Sequence, residues 1–254
     1  MHSLATLAAF AALAAPPVNA ALPQDGPGLR AAYARTTTEL DSALDRWGGR
    51  GPIPREVGLE ALYQERIVRL LATSPRLARA VPAARDDVLA RRDILRLTAP
   101  YPPRTRVRIA RPPAPLLLLR WYREAGRRFG VPWNALAAIN FVESRFGTVR
   151  NDSTAGAQGP MQFLPATWRA YGLGGNIHDP HDAILGAANF LRANRAANDL
   201  RTALYRYNHS SLYVDALLRY TRRIASDPHA FLAYYAWPVY VRTSHGVRRV
   251  TGPR

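Results

Sequence analysis

Val131-Pro132-Trp133-Asn134-Ala135-Leu136-Ala137-Ala138-Ile139-Asn140-Phe141-Val142-Glu143-Ser144-Arg145-Phe146-Gly147 reads as an amphipathic helix that delivers one carboxylate to its C-terminal end. Nine residues beyond it comes Gly156-Ala157-Gln158-Gly159-Pro160-Met161-Gln162-Phe163-Leu164-Pro165, a glycine-punctuated loop carrying a Met-Gln pair. Positions 136, 139, 140 and 143 share a helix face, so Glu143 projects from the side that bears Leu136 and Ile139. A carboxyl beside apolar side chains is desolvated, its charged form is disfavoured and its pKa rises. That is the condition for a general acid near neutral pH. By itself a glutamate at a helix end is a weak signal, because it can pair on the surface with Arg145 or Arg150 instead.

The loop adds chemistry to the acid. Gly156 and Gly159 allow the backbone to approach an extended ligand closely. Gln162 offers both a donor and an acceptor, suited to hydroxyl and acetamido groups, while Trp168, Tyr171, Tyr205 and Tyr207 supply ring faces for sugars.

Outward from this region, further helices are predicted over Leu116 to Phe129, Pro165 to Tyr171, Asp182 to Asn194, Leu200 to Tyr207 and Ser211 to Ala225. Asp179-Pro180-His181-Asp182 is a helix start, with an aspartate cap and a proline in the first turn. His178, Asp179, His181 and Asp182 also offer nitrogen and oxygen ligands, but the cap explains both aspartates, so no metal and no cofactor is expected. On the N-terminal side, Leu29, Tyr33, Leu40, Leu44 and Trp47 recur at helical spacing and stop at Gly48-Gly49. Two more helices follow, Arg55 to Ala72 and Ala83 to Leu97. In the latter, Asp86, Asp87 and Asp93 mixed with Arg read as a solvated face laced with ion pairs. Prolines crowd residues 100–115, which read as an extended connector. Beyond Trp237-Pro238, alternation around Ser244-His245-Gly246 suggests a β-hairpin. The predicted organisation is a mainly α protein: a signal peptide over 1–20, a helical subdomain over 21–99, the connector over 100–115, a catalytic domain over 116–236 and a tail with the hairpin over 237–254.

The apolar run Leu4 to Ala15 followed by Val18-Asn19-Ala20 has the form of a signal peptide cut after Ala20. It is shorter than the ~20 apolar residues a bilayer span needs, so no transmembrane span is expected in the mature chain. The 254 residues contain no cysteine, which removes disulfides and thiolate metal sites. With 48% hydrophobic and 21% charged residues the chain can bury a core. All 35 basic residues are Arg and the formal net charge is +17. Such a chain is drawn to polyanions, for an exported protein the anionic polymers of the wall. The Arg residues are spread over every segment without a recognised nucleic-acid motif, so nucleic acid is not an expected partner.

The order Glu143-Ser144, Gly156 to Phe163, Thr167-Trp168, Asp179 to Ile184, Ala203 to Asn208 and Tyr213-Val214 resembles the catalytic domain of bacterial soluble lytic transglycosylases, including the membrane-bound-type-B-like variety of actinobacteria. The resemblance spans residues 116 to 226. It implies a lysozyme-like, mainly helical fold that binds peptidoglycan glycan strands and cleaves the β-1,4 bond between N-acetylmuramic acid and N-acetylglucosamine without water, in an extracytoplasmic, wall-associated setting. Glu143 matches the family's acid/base. Ser144, Met161, Gln162 and Phe163 match substrate-binding positions that shape the cleft, and Tyr207 and Asn208 match a Tyr-Asn element that faces the acid. Gly-Pro-Met-Gln at 159–162 replaces the commoner Gly-Leu-Met-Gln. Two other readings stay open at this point. One is a goose-type lysozyme that would use Asp152 to position a water, and the other is a module that binds wall glycan without cutting it.

Overall fold

The computed structural model describes residues 14–102, 105–244 and 246–253. Its helices are α1 (Gly26–Trp47), α2 (Arg55–Thr73), α3 (Pro75–Arg79), α4 (Arg85–Leu97), α5 (Pro115–Phe129), α6 (Trp133–Ser144), α7 (Pro165–Tyr171), α8 (Pro180–Ala193), α9 (Leu200–Tyr207), α10 (Ser211–Ser226) and α11 (Ala230–Ala236), with a short 3₁₀ turn at Pro82–Ala84. A two-stranded antiparallel hairpin, β1 (Tyr240–Thr243) and β2 (Gly246–Arg249), closes the chain in the register Tyr240↔Arg249 to Thr243↔Gly246. The mainly helical architecture and the C-terminal hairpin are those the sequence predicts. Among the described residues no helix is long and apolar enough to cross a membrane. Of the segment read as a signal peptide, residues 1–13 lie outside the described residues, and Arg66 of α2 donates to the carbonyls of Val18 at 3.4 Å and Ala20 at 2.7 Å.

The helix that carries Glu143 sits at the centre. Every residue of α6 from Ala135 to Phe141 is buried, because α5, α8, α10 and α11 all pack against it. A helix covered on all sides has no polar face to show, so α6 is a core helix rather than the amphipathic one its sequence suggests. It ends at Ser144. Arg145 and Phe146 adopt left-handed backbone (φ 52 and 60), and their amides close back on the carbonyls of Phe141 at 3.1 Å and Asn140 at 3.0 Å.

The core is continuous across the helices before and after the proline-rich segment. Helix α4 is the joint, packed between α2 and α10. Its acidic residues are therefore not simply a solvated face. Asp87 is buried and accepts from the Tyr234 hydroxyl of α11, while Asp93 meets Arg219 of α10 at 2.8 Å. Burial pushes the Asp87 carboxyl up, against the Tyr234 hydrogen bond.

Deeper still, Glu65 of α2 is fully buried and pairs with Arg91 of α4 at 3.1 Å. Arg145, just past Glu143, adds its charge to the same cluster and lies over the Phe141 ring at 4.2 Å from the centroid. Aromatic rings from α10 and α11 complete this side, with Phe141 5.0 Å from Tyr220 and 4.9 Å from Tyr234 between centroids. Offset and edge-on contacts of this kind contribute about 0.5–1.5 kcal/mol each beyond buried area. They fix the end of α6 against the rest of the molecule.

Residues 100–115 are more than a connector. Tyr101 donates to the Arg242 carbonyl of β1 at 2.8 Å. Ala110 donates to the Thr148 carbonyl and Arg150 to the Arg108 carbonyl, both at 2.9 Å. The segment thus bonds at one end to the hairpin and at the other to the loop that follows α6.

Candidate active site

Glu143 lies in the last turn of α6 and keeps a partial opening to solvent. Its Oε1 accepts a hydrogen bond of 2.6 Å from the hydroxyl of Tyr213, in the first turn of α10. Burial drives the carboxyl up to about 7, with the Tyr213 hydrogen bond pulling the other way. Tyr213 is itself held well above the ordinary tyrosine range by burial first and by the Glu143 charge second, so it stays a donor. Neither Arg145 nor Arg150 pairs with the acid. Arg145 is turned inward to the Glu65 cluster.

The Gly-Pro-Met-Gln loop is fastened to α6 from beneath. The Pro160 carbonyl accepts from Ser144 Oγ at 2.6 Å and from Asn140 Nδ2 at 2.7 Å. Asn140 Oδ1 accepts in turn from the Tyr122 hydroxyl at 2.5 Å, and Ser144 Oγ accepts from the Gly147 amide at 2.8 Å. Asn140 and Ser144 are four apart on the helix, so both reach the same carbonyl. On its other side the loop abuts the backbone before α8: a Cβ on Gly159 would stand 1.9 Å from the Ile177 carbonyl oxygen, and its φ is +72. Glycine is required there.

Of the residues that the resemblance places at the substrate, Gln162, Tyr207 and Asn208 keep accessible surface. Gln162 has left-handed backbone (φ 50), and its Nε2 donates to the carbonyl of Gly159 at 2.9 Å and to that of Asn151 at 3.4 Å. Tyr207, at the end of α9, donates to the Met161 carbonyl at 2.7 Å and feels the Glu143 charge. Asn208 caps the same helix. Ser144, Met161 and Phe163 are buried, so their side chains present no surface to a ligand in this conformation. They hold the loop from inside, Phe163 against the Tyr207 ring at 5.5 Å and the Trp168 ring at 5.4 Å. Three of the five non-glycine residues with positive φ among the described residues, Arg145, Phe146 and Gln162, flank the acid and its loop. Such backbone is sparsely populated and persists where surrounding contacts over-determine it.

Two participants were not singled out from the sequence. Tyr213 stands in one of the quoted motifs, yet its pairing with Glu143 joins residues 70 apart. Asn140 could have been found from its i,i+4 relation to Ser144. Asp152 is exposed and lies 3.7 Å from Arg108. Asp179 caps α8, accepting from the His181 and Asp182 amides at 2.9 and 3.0 Å, and Asp182 accepts from the Asn176 amide at 2.9 Å.

This site falls inside a recognised segment. Residues 120–227 match the family described as "Transglycosylase SLT domain". The chain is also 28% identical over 146 residues to "Membrane-bound lytic murein transglycosylase F 1" of Alkalilimnicola ehrlichii, a match covering 51% of this chain and 29% of that protein. The chain therefore spans less than a third of the length of that curated relative. No solved structure matches the chain.

Proposed function

We propose that the protein is an extracytoplasmic lytic transglycosylase that cleaves the β-1,4 bond between N-acetylmuramic acid and N-acetylglucosamine in peptidoglycan, leaving a 1,6-anhydromuramic acid end, with Glu143 as the single acid/base. The observation that carries this reading is the Glu143 carboxyl, raised to about 7 by burial and hydrogen-bonded to Tyr213. Near neutral pH much of it is protonated, as a general acid requires.

In the first step Glu143 gives its proton to the glycosidic oxygen as the bond from that oxygen to C1 of the muramic sugar breaks. The sugar's own 2-acetamido group stabilises the cationic centre. The Glu143 carboxylate, held by the Tyr213 O–H, then takes the proton of the 6-hydroxyl while O6 bonds to C1. The proton is returned, no water enters, and one carboxylate serves both steps. In a retaining glycosidase a second enzyme carboxylate would do the work of the acetamido group. Gln162, Tyr207 and Asn208 line the strand beside the acid.

Asp152, the residue a hydrolytic alternative would need, is exposed and faces Arg108, which favours the water-free route. Mass spectrometry of muropeptides released from purified peptidoglycan tests the proposal. Anhydro ends, lighter by one water than reducing ends, are expected, and Glu143→Gln should release none. Reducing ends would replace the proposal with a hydrolase, and full activity of Glu143→Gln would remove Glu143 from the mechanism.

A further inference from the structure

From Ile94 to Arg123 the chain contains no acidic residue, and within that stretch the proline-rich segment carries Arg104, Arg106, Arg108 and Arg111. Residues 106–110 are bonded to the loop behind Glu143 by side chains as well as by backbone. The Arg108 amide donates to Asn151 Oδ1 at 2.8 Å, and Asn151 Nδ2 donates to the Arg106 carbonyl at 3.1 Å. One asparagine side chain thus bridges both arginines' backbone. Its own carbonyl accepts from Gln162 Nε2 at 3.4 Å, which ties this strap to the loop beside the acid. Side chains two apart on extended backbone share a face. Arg106 and Arg108 are exposed, while Val107 between them is half-buried. Asp152, at 3.7 Å from Arg108 and itself nearly half-exposed, is the carboxylate within ion-pair reach of this pair among the described residues. The strap therefore carries a net positive charge to the edge of the candidate site.

We infer that Arg106 and Arg108 form a cationic rim that binds the carboxylates of the peptide stems on the glycan strand, so that strands bearing stems are preferred over stripped ones. This rests on the reading of Glu143 as the acid of a peptidoglycan lyase. While stems are attached the amino-sugar backbone is uncharged, because the lactyl carboxyl of muramic acid is tied up in the amide to the peptide, and the anionic groups are the stem carboxylates. A strand stripped of its stems keeps one lactyl carboxylate per muramic acid, close against the sugar ring rather than out along a stem. A guanidinium meets a carboxylate through two parallel N–H donors. The overall charge of +17 attracts any polyanion at long range, but a pair fixed by Asn151 beside Gln162 acts within reach of a strand held at the site. Rim charges of this kind act on encounter and specificity.

The test compares kcat/KM of the full chain on stem-bearing strands with that on strands whose stems an amidase has removed, leaving only the lactyl carboxylates, for the wild type, Arg106→Gln/Arg108→Gln and Arg106→Lys/Arg108→Lys. The wild type should prefer stem-bearing strands, with the preference falling roughly three- to tenfold in the glutamine pair, as two exposed ion pairs allow. The lysine pair should retain most of it. A wild-type preference of one, an unchanged preference in the glutamine pair, or an equal fall on both substrates would overturn the inference. Co-sedimentation of Glu143→Gln with the two kinds of strand reads the same preference without catalysis, so an enzyme inactive on both substrates would refute the proposed function and still leave the rim decided. Equal loss of retention by the glutamine pair on phosphate-bearing polymers would assign the rim to polyanions in general and overturn the stem reading.

Discussion

Replacing Tyr213 by Phe removes one hydroxyl and leaves a buried ring of the same shape, so its consequences fall on Glu143. The lost bond is short, 2.6 Å, and its acceptor is a carboxylate oxygen. A hydrogen bond to a charged group contributes about 1.5–3 kcal/mol, and one pKa unit corresponds to about 1.4 kcal/mol. Tyr213 donates to the ionised form and so holds the Glu143 pKa down against burial. Without it the carboxyl should rise from about 7 by about 1–2 units. Catalysis that begins with a protonated Glu143 falls away above that pKa, so the alkaline limb of kcat/KM should move to higher pH by the same amount. The maximum should drop by about tenfold, because the carboxylate formed in the first step has lost its donor. The assay is the pH dependence of strand cleavage for wild type and Tyr213→Phe, on a fold verified by circular dichroism. A limb that stays in place, or one that moves to lower pH, would refute this account of the acid.

Other consequences can be measured on the same protein. Glu143 has its folded pKa, about 7, above the ordinary glutamate value of 4.5; the folded state therefore binds the extra proton, and stability is lost as pH rises from 4.5 through 7. Glu143→Gln should be more stable than wild type by about 2–3 kcal/mol at pH 8 and by little at pH 4 in urea titrations; an equal difference at both pH values would contradict the burial of the acid. Gly159→Ala, with its φ of +72 and the Ile177 carbonyl in the way, should cost at least about 2 kcal/mol and slow cleavage, whereas a neutral effect on both would show that the loop has room. His229 joins α1 to the start of α11. Burial works to lower its pKa, but the Asp45 hydrogen bond at 2.8 Å and the charges of Asp41, Asp45 and Asp227 raise it overall. That contribution is complete below the unfolded histidine pKa and disappears as pH climbs through the folded one. Asp45→Asn should therefore destabilise the fold at pH 6 by less than about 1 kcal/mol, read as a lower thermal midpoint, and have no effect at pH 9; a loss that does not change with pH would rule the pairing out.

The helices were legible because their apolar residues recur at a period the backbone imposes, and the ends were legible where chemistry marks them, as at Gly48 and at Asp179-Pro180. The shared core hid the rest. Helix α11 is seven residues long, buried at five of them, and too short to show a period. Residues 106–110 pair through amides and carbonyls, which every residue carries, so the sequence has nothing there to read except prolines. Asp87 reads from the sequence as part of a solvated face and is buried, as are Glu65 and Arg91, where α4 packs between α2 and α10. Around Glu143 the order of motifs pointed to that residue and to the loop hydrogen-bonded to its helix. The division of that loop into exposed Gln162 and buried Met161 and Phe163 follows from the fold of the α6 end, where Arg145 and Phe146 reverse the chain.

The cluster of Glu65, Arg91 and Arg145 bears on how portable the family-matched segment is. Residues 120–227 carry the family resemblance, yet the charge that balances Arg145 is supplied from α2 and the face of α10 is covered by α4. Excised on its own, that stretch would carry an uncompensated guanidinium beside Phe141 and an apolar helix face open to water. The recognisable part of this chain thus shares its core with the helices before it, and a graft of it onto another scaffold must bring a carboxylate to stand where Glu65 stands.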